Sequence, residues 1–202
     1  MSAWHHRRRG TAAAVLAAAL MVAGCTSGHG GTSGHGGTGD RAFTWFRPGS
    51  PPAAWLRARL PGQHAMLSYP NSLRPMHGDH GTVTVGRDSR SGAVLVYLNV
   101  TPRQGDETLR DWPSFRLDHL REDGETAVHV DGVSPALTFR GGQGRCVIDS
   151  YITKIHSNHY QEIACFVQGS HAASVLVAAT STGAWRAYRH LLDQVVSTYQ
   201  AG

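Results

Sequence analysis

Residues 26–39 run Thr26-Ser27-Gly28-His29-Gly30-Gly31, the same six again from Thr32 to Gly37, then Thr38-Gly39. Nothing in this stretch buries enough apolar surface to offset the entropy of ordering it, so it cannot join a core and behaves as a flexible coil. Its fourteen residues span roughly 20 Å on average by the scaling for glycine-rich chains. Two isolated imidazoles on such a coil, His29 and His35, hold a divalent metal only weakly. The stretch divides the chain. What folds starts near Asp40 and runs to Gly202, about 160 residues, which is room for one domain with its own core and too little for two.

Upstream, Arg7, Arg8 and Arg9 precede an alanine-rich apolar segment from Thr11 to Val22, the length of a secretory h-region and short of a membrane span. Residues 1–24 read as a signal peptide. Val22-Ala23-Gly24-Cys25 resembles the bacterial lipobox, in which an aliphatic residue and two small ones admit cleavage just before a lipid-modified cysteine. Cys25 then becomes the first residue of the mature chain. One acyl chain gives marginal, reversible membrane binding, whereas two or three, at about 0.8 kcal/mol per buried methylene, hold stably. The expected location is the outer face of the cell membrane, lipid-anchored, with residues 25–39 as lipidated cysteine and tether and 40–202 as the domain. The arginines leave the general and twin-arginine export routes both open.

Removing the signal peptide changes the charge balance. The whole chain carries 19 Lys and Arg against 14 Asp and Glu; without Arg7, Arg8 and Arg9 the net charge falls to +2, and an electrostatic case for nucleic acid disappears. Cysteine usage fits export. Of three cysteines Cys25 is lipidated, leaving Cys146 and Cys165 as a pair in a compartment that permits disulfides.

Along the domain, Phe43-Thr44-Trp45-Phe46 is an aromatic cluster, a short edge strand or a flap, with packing on the core as its expected use. After Trp55–Leu60 and Pro61-Gly62, Ala65–Tyr69 reads as a strand stopped by Pro70, and a polar loop follows through Gly81. Thr82–Val85 and Ala93–Val100 form a hairpin across residues 88–92; the second run is apolar almost throughout, which predicts a central strand covered on both faces. Leu109, Trp112, Phe115 and Leu120 give a helical pattern, and Pro113 confines the helix start to an N-cap near Asp111, with Asp123-Gly124 closing it. From Val128 strands return, at Pro135–Phe139, Cys146–Ile155, Tyr160–Val167 and Ser174–Thr180, as an antiparallel meander. A last helix capped at Ser181 or Thr182 presents Trp185, Tyr188, Leu192, Val195 and Tyr199 as one stripe that must lie on the sheet. A turn centred on Ser157-Asn158 would set Cys146 four residues from a position opposite Cys165, about 13 Å, too far for a disulfide. A centre between Ile155 and His156 sets the two face to face, and this register is expected, with a wide loop at residues 154–159.

Several stretches together resemble one family: Leu60-Pro61 followed by Leu67-Ser68-Tyr69-Pro70, the run Tyr97-Leu98-Asn99-Val100-Thr101-Pro102 ahead of Asp106-Glu107-Thr108-Leu109, and a final helix ending Val195-Val196-Ser197-Thr198-Tyr199. They are similar to the PsbP-like lipoproteins of actinobacteria over about residues 55–200. The resemblance implies an α+β fold with an antiparallel sheet sandwiched between helices. It also implies a binding or assembly factor at a membrane, with no catalytic set or cofactor to transfer. The cysteine pair and the histidine-rich loop lie outside what it explains.

The candidates for chemistry are sparse. His77-Gly78-Asp79-His80 sets two imidazoles and a carboxylate in one loop, and His156 and His159 flank a turn; such donors suit zinc or copper, but a stable site needs three or four converging ligands. His77, Asp79 and His80 are thus the metal candidates of an alternative function, a metal-binding surface lipoprotein. Ser134 in Gly132-Val133-Ser134-Pro135-Ala136 lacks the second glycine and the strand-to-helix turn of a nucleophile elbow. Gly141-Gly142-Gln143-Gly144 leads into a strand rather than a helix N-terminus, so a hairpin and not a phosphate cradle is expected. The resulting expectation is a non-enzymatic, monomeric module for an envelope protein or small ligand, held at a membrane.

Overall fold

The computed structural model describes residues 41–88 and 94–202. Cys25, the tether, the signal peptide and the tip of the first hairpin lie outside the described residues. Strands β1 (Leu56–Arg59), β2 (Met66–Tyr69), β3 (Arg74–Pro75), β4 (Val83–Asp88) and β5 (Val94–Pro102) precede helix α1 (Trp112–Glu122). Then come β6 (Thr126–Val133), β7 (Leu137–Phe139), β8 (Gly142–Ile152), β9 (His159–Gly169), β10 (Ala173–Ser181) and helix α2 (Trp185–Thr198), which a 3-10 turn at Thr182–Ala184 introduces. The main sheet runs β3-β4-β5-β10-β9-β8-β6, with β7 also on β8, and β1 and β2 form a separate pair. The pairings between these strands are antiparallel, and an isolated bridge between Arg140 and Gln200 is parallel. The described residues thus form a mixed α+β structure, a large antiparallel sheet with two α-helices.

The longest ladder sets the register for the rest. β8 and β9 pair from Gly142 opposite Gly169 to Ile152 opposite His159, with Cys146 directly opposite Cys165. The two cysteines are bonded, their Cα atoms 4.0 Å apart, as a centre between Ile155 and His156 requires. The connecting residues 153–158 make the wide loop, in which His156 and Ser157 adopt positive φ of 66° and 48° and Thr153 N–H donates to the Asn158 carbonyl at 2.9 Å.

Alternate strand positions feed two clusters, because successive strand side chains point to opposite faces. Val96, Leu98, Val100, Cys146, Ile148, Ile163, Cys165, Val167, Leu176 and Ala178 pack with Leu192, Val195 and Val196 of α2 and with Tyr199 just beyond it. The intervening Val147, Ala164 and Phe166 pack with Trp112 at the start of α1, joined by Phe115, Val175 and Val177. Each helix forms for a legible reason. Asp111 stands at the N-cap position of α1 without a side-chain cap hydrogen bond, and proline falls in the first turn, where a missing N–H costs nothing; Gly124 follows at φ 85°, the left-handed exit that glycine adopts freely. Trp112 is buried, and its indole N–H donates to the Ala164 carbonyl at 3.0 Å. In α2 the apolar stripe buries Leu192, Val195 and Val196.

Phe43-Thr44-Trp45-Phe46 is a turn rather than a strand. Phe43 and Phe46 are buried in the α2 cluster, with Phe46 4.8 Å from Phe139 between ring centroids. The segment runs along α2, where Gly49 N–H donates to the Ser197 carbonyl at 3.0 Å.

Two expectations need correction. The polar loop before Gly81 contains β3, a two-residue edge strand whose Pro75 suits only a sheet edge. β5 is interior to the sheet, between β4 and β10, but is not covered on both faces: Val96, Leu98 and Val100 are buried while Tyr97 and Asn99 between them are only partly covered. An eleven-residue helix spans about 16 Å, about the width of three or four strands. It packs mainly on β6, β8 and β9.

Candidate functional site

The face that carries α1 holds the unusual chemistry. One cross-strand row reads Gly86, Tyr97, Ala179, Glu162, Asp149 across β4, β5, β10, β9 and β8. Asp149 and Glu162 therefore face each other on neighbouring central strands, and both are fully buried. Two buried carboxylates side by side repel and lose hydration, so a counter-charge is required.

Arg116 of α1 supplies it. Its Nε donates to Glu162 Oε1 at 3.0 Å, and its Nη2 reaches the same oxygen. Tyr151 donates its hydroxyl to Glu162 Oε2 at 3.1 Å. Asp149 receives less: Arg116 Nε stands 3.9 Å from Oδ2, and neither carboxylate oxygen has a hydrogen-bond partner among the described residues. Burial first, then the charge of Glu162, holds the Asp149 carboxyl well above the usual range. A proton on Asp149 relieves the repulsion between the two carboxyls and gives the group a donor toward Glu162. Burial opposes the Arg116 cation, but Glu162 and Asp149 outweigh it and hold its pKa above the ordinary value. Burial and then Glu162 likewise push the Tyr151 phenol well up. The carboxyls are sealed from solvent, so the cluster clamps α1 to the sheet and offers no base to an external substrate.

Beyond α1 the same face opens at Tyr97 and Asn99, which are partly exposed; Val177, Tyr151 and Tyr160, also partly exposed, lie between them and the helix. Thr84 Oγ1 lies 3.3 Å from Asn99 Oδ1, and the rings of Tyr151 and Tyr160 are 6.2 Å apart. The Tyr97 phenol is raised by burial, then by Glu162 and Asp79, so the loop of Asp79 borders this strip. The surface combines aromatic rings, an amide and hydroxyls, the mixture that serves recognition.

The residues singled out in the sequence fall as follows. Cys146 and Cys165 are joined, and Cys25 lies outside the described residues. His77, Asp79 and His80 are exposed on the loop between β3 and β4, where the Asp79 carbonyl accepts the Thr82 hydroxyl at 2.7 Å. His156 and His159 are exposed at the β8–β9 connection. Among the described residues no three His, Cys, Asp or Glu side chains gather as a metal site does. Ser134 is buried, its Oγ accepting the Cys146 N–H at 2.8 Å. Gly141 sits at φ 80° in the turn from β7 to β8, a hairpin as expected. Arg116, Asp149 and Glu162 escaped notice, yet their signal was present. Each acid interrupts a β-rich apolar run, Cys146–Ile152 or Tyr160–Val167, and the register that pairs the cysteines also sets Asp149 opposite Glu162.

Comparison with solved structures turns on the cyanobacterial PsbP (CyanoP) from Synechocystis sp. PCC 6803. The alignment covers 76% of this chain and 96% of that one at a TM-score of 0.54 and 12% identity. The fold is PsbP-like. LpqN, involved in cell envelope biogenesis of Mycobacterium tuberculosis, aligns over 72% of this chain and 89% of its own at a TM-score of 0.47 and 13% identity. A putative regulator of unknown function from Pseudomonas aeruginosa aligns over 71% and 94% at 0.48 and 12%. No family model matches the sequence, and neither does any curated protein. Among the described residues no helix is long and apolar enough to cross a membrane.

Proposed function

We propose that this chain is an exported lipoprotein, anchored through Cys25, whose PsbP-like domain is a non-catalytic binding or assembly module for an envelope protein or small ligand. In this reading the sheet is sandwiched between α1 and α2, and the strip of the α1 face that α1 leaves open receives the partner. The observation that carries it is the partly exposed pair Tyr97 and Asn99 on an interior strand. A central strand whose outer face is aromatic and amide-bearing, beside a sealed charged clamp, fits recognition better than turnover. Crosslinking and pull-down from intact membranes, native protein against Cys25→Ala, tests the proposal. The native chain is expected in the membrane fraction with a discrete partner or ligand, and Cys25→Ala is expected in the soluble fraction. Equal membrane retention of both would refute the anchor.

A further inference from the structure

Charge is divided unevenly between the two sides of the domain. Residues 41–78 contain five arginines and no aspartate or glutamate. They belong with α2: Phe43, Phe46, Leu60, Leu67, Tyr69 and Leu73 share its buried cluster, and Arg189 Nη2 donates to the Ala42 carbonyl at 3.4 Å. α2 adds Arg186 and Arg189 against Asp193, and Arg189 is paired with Asp193 at 2.6 Å. Arg74 lies on β3 in the main sheet, so the layer carries six arginines and one acid, while residues 79–180 carry nine basic and twelve acidic residues. Arg41, Arg57, Arg59 and Arg186 are exposed, and among the described residues none pairs with a carboxylate.

Apolar and aromatic groups lie among these arginines. Leu56 is 46% exposed, beside Arg57. Trp45, Trp55 and Trp185 are partly exposed, and the Arg189 guanidinium lies 5.5 Å from the Trp45 ring centroid and 4.8 Å from that of Trp185. Arginine and tryptophan mixed on one surface are the combination that settles at the headgroup level of a bilayer.

We infer that the outer side of this layer, centred on Arg41, Arg57, Arg59, Arg186, Trp45 and Trp185, rests on an anionic lipid surface. The described residues begin with Arg41, on this layer. The basic layer then adds a second signal to a lipid anchor, and the open strip on the α1 face points away from the membrane. This goes beyond the binding-module reading and shares with it the expectation of export.

The test is flotation of the mature chain from residue 25, unlipidated through Cys25→Ala, with vesicles of phosphatidylcholine alone or mixed equally with phosphatidylglycerol. Binding is expected only to the mixed vesicles and is expected to fall as salt rises. Each arginine at an anionic surface contributes about fivefold. Replacing Arg41, Arg57, Arg59 and Arg186 with glutamine should therefore cut partitioning at least tenfold, whereas glutamine at Arg103, Arg110, Arg121 and Lys154 leaves it within about twofold. Circular dichroism confirms that both variants keep their fold. No binding to either vesicle, or equal losses from the two sets, overturns the inference. Neither outcome touches the anchor, which fractionation of the lipidated protein tests separately.

Discussion

Asp149 is the residue at which pH should act on this fold. Its carboxyl is held well above the usual range by burial and then by Glu162, so between about pH 4 and its raised folded pKa the native state binds a proton that the unfolded chain has released. Stability from this group is complete below about pH 4 and declines as pH rises toward the folded pKa. Asp149→Asn removes the titration while keeping a donor toward Glu162. Denaturant unfolding of the two proteins across pH should give stabilities within about 1 kcal/mol at low pH, with the native chain falling relative to the variant as pH rises. Parallel curves would show that Asp149 ionises as an ordinary carboxylate. A second residue-scale constraint is Gly169, where a Cβ would stand 1.8 Å from the Gly202 carbonyl oxygen. Gly169→Ala must push the chain's last residues away and is expected to cost about 1–3 kcal/mol. Gly183→Ala, with open space around its Cβ, should be neutral within about 0.5 kcal/mol. Unfolding midpoints for the two variants separate the cases.

Among the elements, the β8–β9 ladder determines most of what surrounds it. The fully buried Cys146–Cys165 bridge closes a separation of 19 residues, and in the chain-entropy account, one of several for disulfides, that constrains the unfolded chain by about 3 kcal/mol. Replacing both cysteines with alanine should lower the melting temperature markedly, and reductant should then have no further effect on the variant. A native chain whose melting is unchanged by the double replacement would place the stability elsewhere. This ladder was legible in the sequence because a disulfide tolerates only one register, and α2 was legible because its stripe steps by three and four. The limits were equally physical. β3 is two residues long and leaves no periodicity to read. The apolar run of β5 identified an interior strand, but how far α1 extends across the sheet depends on tertiary packing that no local pattern records. The charged clamp was implied by the cysteine register, yet it joins α1 to two strands that follow it, and only folding brings Arg116 to Glu162.

For the whole molecule, the two sides carry different chemistry. The α2 layer is arginine-rich and studded with tryptophan; in the proposed sandwich the other face of the sheet is clamped by α1 at one end and open around Tyr97 and Asn99 at the other. A domain on a short tether, basic side toward lipid, would present that strip to partners in the envelope. The most direct measurement is site-specific photocrosslinking in intact cells, with a photoreactive residue replacing Tyr97 in one protein and Thr138, exposed on β7 and separated from β5 by β10, β9 and β8 in the strand order, in another. The account predicts a discrete adduct of one partner or ligand from position 97 and none from position 138. No adduct at 97, or the same adducts from both positions, would contradict it.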